Sequence, residues 1–176
     1  MGTSTLSEHE DSIEEVIEQI EFSWKMSDLD DLFTYLQHFL CLIQDSKIQL
    51  PSNFFESYAI SIILTMLSDN ENSESIKSSE IPIHIQNILL NIIEILLQKY
   101  CQYVTPPFAN DLIEHILPII DSGTESQIKK CLSFILLLCQ NFPEMYLLQI
   151  INPLFIIHLF SKSHLTTEPG IIYDGD

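Results

Sequence analysis

The sequence predicts an all-α fold built from repeated helical units, and three observations support that prediction. The 176 residues include 28 Ile and 24 Leu but only two Val and two Ala, as expected of helices that pack through bulky aliphatic side chains. Apolar residues recur with a helical period through most of the chain. A pattern of helices also recurs along the chain. The length suits one domain or a short repeat array.

The N-terminal region predicts an acidic tail followed by two helices. Residues 1–11 are polar and acidic, and we expect them to be disordered. Ser12 and Glu15 form a capping-box pattern ahead of an apolar face, which predicts that the first helix begins there. Asp28 is placed to cap the second helix, over residues 28–45.

The middle of the chain predicts a linker, a short helix, a loop and a long helix. The linker over 46–51 precedes a short helical stretch that ends near residue 67. Residues 68–80 are rich in Ser, Asn and Glu and have no period, which predicts a long exposed loop. Pro82 is a good first-turn residue and is predicted to open a helix over 82–100.

The C-terminal third predicts three more helical stretches. The Thr-Pro-Pro sequence at 105–107 is predicted to end the preceding structure, and Asn110 is predicted to cap a helix over 111–120. The remaining predicted segments are the helices 125–140 and 143–160 and the tail 162–176.

An internal repeat relates these segments. Three short helical segments align with one another at offsets of 53 and 40 residues; they are 63–68, 116–121 and 156–161. The same offsets bring the preceding long helices into register; they are 28–45, 82–100 and 125–140. The extra residues of the first offset fall in the loop 68–80, so the unit is about 40 residues long, as in helical-repeat proteins. A non-repeating helical bundle is the alternative.

The clearest unit resembles an armadillo repeat. It consists of a helix over 112–120, a turn containing Gly123, and a long helix over 128–139 in which Cys131 occupies the family's usual small-residue position. The resemblance implies a right-handed armadillo-type superhelix of about three repeats, forming a single domain over residues 12–161. The N-terminal part also resembles the start of the importin-alpha array.

The resemblance implies a partner-binding groove along the long helices. Importin-alpha binds basic import signals through Trp and Asn placed four residues apart on these helices. The positions that match here hold other residues: Leu40, Gln44, Ile93, Leu97, Ser133 and Leu137. The resemblance therefore implies a non-enzymatic scaffold that binds a protein or peptide. The alternatives are a diverged nuclear import adaptor and a structural subunit of a larger helical-repeat assembly.

The charge of the chain indicates which partners to expect. Seven Lys and no Arg stand against 25 acidic residues, a net charge of −18. Binding to nucleic acid or to anionic lipid needs a basic surface, so both are disfavoured. The acidic N-terminal segment indicates either a surface that attracts a basic protein or peptide, or a solvated helix face with an acidic tail. The apolar stretch 147–160 indicates that the C-terminal end is covered by another chain or self-associates.

No pattern in the sequence predicts catalysis or a cofactor. The four Cys form no C-x-x-C pair, no two His share a helix four residues apart, and no G-x-S-x-G elbow or Gly-rich phosphate loop is present. We therefore expect no enzyme activity, no cofactor and no metal site. No signal-peptide pattern is present, and the longest apolar run is too short to span a bilayer, so we expect a cytoplasmic or nuclear location.

Overall fold

The computed structural model describes residues 5–68 and 81–142, with the backbone alone for residues 5–12. Over these ranges the chain is all-α, as predicted, and contains no strand. Its helices are α1 (Thr5–Lys25), α2 (Leu29–Gln44), α3 (Tyr58–Leu67), α4 (Ile83–Lys99), α5 (Pro106–Ser122) and α6 (Glu125–Asn141), with 3₁₀ turns at Phe54–Glu56 and Cys101–Tyr103. The predicted loop over 69–80, the helix over 143–160 and the tail 162–176 lie outside the described residues.

The helices are arranged in two rows. In the first row α3 packs between α1 and α5, and in the second row α4 packs between α2 and α6. Across the rows, α1 packs on α2, α3 on α4, and α5 on α6. Each successive pair of helices therefore lies beside the pair that precedes it in the chain.

The long helices of the second row bury stripes of the same spacing. Successive buried positions in each stripe are four, three and four residues apart, the period of one helix face. The stripes are Leu32, Leu36, Phe39 and Ile43 in α2; Ile85, Leu89, Ile92 and Leu96 in α4; and Gln127, Cys131, Phe134 and Leu138 in α6. Helix α4 buries further residues because it has a helix on each side.

Aromatic rings connect the two rows near the 3₁₀ turn. The rings of Phe39 and Phe54 stack with centroids 5.4 Å apart, and Phe55 meets Phe108 edge-on at 4.9 Å. All four rings are buried. Such ring pairs stabilise a core beyond the area that they bury. The turn after α2 is therefore fixed to both α2 and α5.

Two side chains at the end of α4 bind the segment that follows α2. Lys99 Nζ donates hydrogen bonds to the carbonyl oxygens of Ile43, at 3.0 Å, and of Asp45. The buried Tyr100 hydroxyl donates to the carbonyl of Ile48 at 2.9 Å. Helix α2 has no basic residue in its own last turn, so Lys99 supplies the positive charge that its carbonyl end favours.

Helix α1 begins earlier than the sequence predicted. It starts at Thr5, so residues 5–11 are helical, contrary to the expected disorder, and Ser12 lies inside the helix. The pattern formed by Ser12 and Glu15 therefore did not mark a boundary.

The predicted start of α5 was also wrong. Thr105 caps the helix, since its Oγ1 accepts a hydrogen bond from the backbone N–H of Phe108 at 3.4 Å. Pro106 and Pro107 occupy the first helical positions, where a proline needs no N–H partner. Asn110 consequently lies within the helix. The long helices predicted over 82–100 and 125–140 are confirmed to within a residue at each end.

Candidate partner-binding face

The six residues predicted to line a groove do not form one exposed surface. Ile93 and Leu97 are buried, at 0% and 2% exposure. Leu40, Ser133 and Leu137 are half-buried, and Gln44 is exposed. The prediction was therefore wrong for Ile93 and Leu97, because α4 lies between two helices and these side chains pack inside the row.

The solvent-facing stripe of α4 is polar instead. Asn87 and Gln98 are exposed, and Asn91 and Glu94 are half-buried at positions between them. These residues recur every three or four positions, so they lie on one face of the helix. A polar stripe in a helix otherwise rich in Ile and Leu was the sequence signal for this face.

Gln127 connects the beginning of α6 to the beginning of α4. It belongs to a capping box in which Thr124 Oγ1 accepts from the Gln127 backbone N–H at 3.3 Å, and Gln127 Oε1 accepts from the Thr124 backbone N–H at 3.1 Å. Its Nε2 donates to Gln86 Oε1 at 3.0 Å and to Asn87 Oδ1 at 3.1 Å. Gln127 is 4% exposed, so these bonds satisfy a buried amide.

Lys130 makes the next connection along the same two helices. Its Nζ lies 2.9 Å from Glu94 Oε2 and also donates to Asn91 Oδ1. The side chains of Lys130 and Glu94 are 26% and 33% exposed. We refer to these residues as the α4–α6 seam, which consists of Gln86, Asn87, Asn91, Glu94, Gln127 and Lys130.

The seam shows that α4 and α6 run in the same direction. Gln127 meets Asn87, and Lys130, further along α6, meets Asn91 and Glu94, further along α4. The contacts therefore follow the same order on both helices. Lys99 likewise joins the C-terminal ends of α4 and α2.

The seam fixes which way two asparagine side chains point. Lys130 carries only donors, so the atom of Asn91 that faces it is Oδ1. Gln127 Oε1 already accepts a hydrogen bond in the capping box. The Gln127 amide nitrogen therefore faces Asn87 and donates to Asn87 Oδ1. Among the described residues, neither Asn87 Nδ2 nor Asn91 Nδ2 donates a hydrogen bond. Within residues 5–68 and 81–142, each asparagine thus keeps an amide group whose two donors make no hydrogen bond.

A pocket of about 250 Å³ lies over the seam. Its lining residues are Asn87, Leu90, Asn91, Thr124, Ser126, Gln127 and Lys130. The amide oxygens of Asn87, Asn91 and Gln127 already accept hydrogen bonds within the seam. The amide NH₂ groups of Asn87 and Asn91 also line this pocket, so they can donate to a ligand that offers carbonyl oxygens.

The two cysteines of α6, Cys131 and Cys139, have little nucleophilic character. Burial raises the pKa of the Cys131 thiol to about 12, although the neighbouring Lys130 acts in the opposite direction. Burial also raises the pKa of Cys139. A thiol with a raised pKa holds its proton at neutral pH and reacts slowly. These cysteines therefore belong to the packing of α6.

The described part of the chain has neither a cluster of metal ligands nor a helix that could span a membrane. Within residues 5–68 and 81–142, no group of three His, Cys, Asp or Glu side chains is placed to hold a metal ion. None of the helices in the same part is both long enough and apolar enough to cross a membrane.

Comparison with known proteins gave no relative for this chain. No family model, no curated protein and no solved structure matches it.

Proposed function

We propose that the chain is a non-enzymatic scaffold of armadillo type that binds a protein or peptide across its long helices. The proposal rests on the amide groups of Asn87 and Asn91, which line the pocket over the seam and whose oxygens are bound by side chains of α6. The two-row packing of successive helix pairs supports the armadillo-type part of the proposal, since repeat proteins stack in this way.

The spacing of the two amides suits an extended peptide. Asn87 and Asn91 lie one helical turn apart, so their side chains are about 5–6 Å apart. In an extended chain, every second carbonyl points to the same side, at intervals of about 6.6 Å. Two successive carbonyls on one side of a bound peptide can therefore accept from the two asparagines. Because the seam holds both side chains in advance, little conformational entropy is lost on binding.

The test uses isosteric substitutions that remove only the free donors. Asn87→Asp with Asn91→Asp keeps the oxygens that accept from Gln127 and Lys130 but replaces each amide NH₂ by an acceptor. Asn53→Asp with Asn110→Asp is the matched control, since it adds the same charge on other elements. Peptides selected from a random displayed library on the wild-type protein serve as the probes, and fluorescence anisotropy measures their affinity.

We expect the selected peptides to bind the control variant as they bind the wild type, and the seam variant at least about tenfold more weakly. N-methylation of alternate peptide bonds, which prevents close approach of the backbone, should also weaken binding. Equal affinity for the seam variant and the wild type would overturn the proposed site. Failure to enrich any peptide above an unrelated acidic helical protein would overturn the proposed function.

The net charge of −18 favours a second candidate, a diverged nuclear import adaptor in which acidic residues recognise a basic signal. A labelled import-signal peptide and a scrambled peptide of equal charge separate the two ideas. Preference for the ordered signal at high salt would support the adaptor. Equal binding to both peptides that disappears with salt would be simple charge attraction and would contradict it.

A further inference from the structure

We infer that the chain has a second docking surface, at the end of α1, which fits a basic amphipathic helix of another protein. This surface lies where the end of α1 meets the beginning of α3, and it shares no residue with the α4–α6 seam. We call it the α1-end surface, and it consists of Phe22, Met26 and Tyr58.

Two contacts join the end of α1 to the beginning of α3. Glu21 Oε1 accepts a hydrogen bond from the backbone N–H of Ala59 at 3.1 Å, which joins the last turns of α1 to the first turn of α3. Lys25 Nζ lies 5.7 Å from the centre of the Tyr58 ring. Met26 directly follows α1, and its backbone N–H donates to the carbonyl of Phe22 at 3.0 Å, so the two residues stand one helical turn apart.

The three apolar side chains of the α1-end surface are all exposed to solvent. Phe22 is 59% exposed, Met26 63% and Tyr58 47%. Among the residues whose exposure the structure describes, six large apolar side chains are exposed, and three of them lie here. The other three, Ile83, Tyr103 and Leu136, lie on three separate elements. Clustered exposed apolar side chains mark interaction sites, whereas single ones are ordinary.

Charge complementarity identifies the occupant. Seven acidic side chains lie on residues 14–31, and Lys25 is the single base there. Glu18 stands one turn before Phe22, and Asp28 and Asp30 follow Met26; all three are exposed. A partner that buries Phe22 and Met26 must therefore present apolar groups flanked by positive charge.

The length of helix that carries the acidic residues and leads to the α1-end surface favours a helical partner. The residues from Glu14 to Met26 extend over about 18 Å of helix. A partner helix with apolar residues three and four apart places one apolar stripe against Phe22 and Met26, and its basic residues reach the acids on either side. The flexible side chain of Met26 adapts to the shape of that stripe.

The test uses a labelled peptide of about 18 residues composed of Leu and Lys with a helical period. A permuted peptide of the same composition without that period, and a Leu and Glu peptide with the period, are the controls. Anisotropy is measured at physiological salt, where attraction between distant exposed charges is largely screened. Circular dichroism records whether the bound peptide is helical.

We expect the periodic basic peptide to bind as a helix, at least about tenfold more tightly than either control peptide. Phe22→Ser with Met26→Ser should weaken binding about tenfold, and Met26→Ser alone should weaken it less. Ile83→Ser is the matched control, because Ile83 is 57% exposed on another helix, and it should leave binding unchanged. Thermal melts should show that all these exposed substitutions leave the fold intact.

Three results would overturn the inference. One is equal binding of the periodic and permuted peptides, which would leave charge attraction alone. Another is full affinity of the periodic peptide for the Phe22→Ser and Met26→Ser variant. Loss of affinity only in the Asn87→Asp and Asn91→Asp variant would count in the same way, because it would place the peptide at the seam. The third is self-association of the wild type that is absent from the Phe22→Ser and Met26→Ser variant, as measured by sedimentation. This result would assign the surface to a second copy of the chain.

Discussion

Gly123 stands where the chain turns from α5 to α6 and where no side chain fits. A Cβ at this position would lie 2.5 Å from the carbonyl oxygen of Ile119 and 3.0 Å from its Cγ2. The backbone conformation itself, with φ −73°, is open to any residue, so the constraint is the close approach. The glycine that the sequence placed in a turn is therefore needed for packing.

Gly123→Ala is expected to lower the free energy of unfolding by about 1–3 kcal/mol, the usual cost of forcing extra atoms into a packed site. Urea unfolding followed by circular dichroism measures the change. Ser126→Ala, at an exposed position on the next helix, is the control and should change stability by less than about 0.5 kcal/mol. A Gly123→Ala protein as stable as the wild type would contradict the close approach.

The cysteines are expected to react in an order set by their surroundings. Cys41 is exposed, whereas Cys131 is buried and has a pKa raised to about 12 by burial. At pH 8 an alkylating reagent should therefore modify Cys41 first and Cys131 only when the protein unfolds. Mass spectrometry of timed samples, with and without urea, identifies the modified sites. Early modification of Cys131 in the native protein would show that α6 is not packed as described.

At the scale of the element, α3 is capped by a residue from another helix. Ser57 occupies its N-cap position but makes no side-chain capping bond, and its buried Oγ has no partner among the described residues. The carboxylate of Glu21 on α1 instead binds the backbone N–H of Ala59. The negative charge also suits the N-terminal end of a helix.

We expect Glu21→Ala to lower the free energy of unfolding by about 1 kcal/mol, the usual worth of a capping residue. Glu21→Gln should lower it less, because an amide oxygen can still accept the bond. Ser57→Ala should be neutral or stabilising, since it removes a buried hydroxyl that makes no bond. Thermal and urea melts test all three, with Glu18→Ala as the exposed control. Loss of stability in Ser57→Ala but not in Glu21→Ala would contradict the capping across helices.

The sequence predicted elements well where local chemistry marks their ends. Thr124 and Gln127 form a complete capping box, and the helix that they open was predicted correctly. The start of α5 was missed because prolines after Thr105 were interpreted as a break alone, although a proline also suits the first helical turn. The cap of α3 could not be predicted, because Glu21 and Ala59 meet only in the folded chain.

At the scale of the whole molecule, the net charge of −18 opposes folding through repulsion between acidic side chains. Salt screens such repulsion over about 10 Å at 0.1 M. We therefore expect the melting temperature to rise by several degrees between about 0.02 and 0.5 M sodium chloride. Glu14→Gln, at an exposed position, should raise the melting temperature at low salt and have less effect at high salt. A melting temperature that falls with salt would contradict this account.

The arrangement of the helices determined how much of the candidate site could be predicted. The helix period indicates which residues share a face, but the side of α4 that is covered depends on α2 and α6 together. Ile93 and Leu97 were therefore placed on the wrong side of a correctly predicted helix. Asn87 and Asn91 were present in the sequence as a polar pair, but their fixed orientation comes from Gln127 and Lys130, about 40 residues further along the chain.

The hydrogen bonds from Lys99 have a consequence for the order in which the protein is completed during synthesis. They join residues 56 and 54 positions apart in the chain, so the carbonyl end of α2 meets its partner only after α4 has left the ribosome. Until α4 has been made, the last carbonyl groups of α2 lack this partner. The end of α2 is therefore completed by the second α-helix that follows it in the chain, not by the one next in sequence.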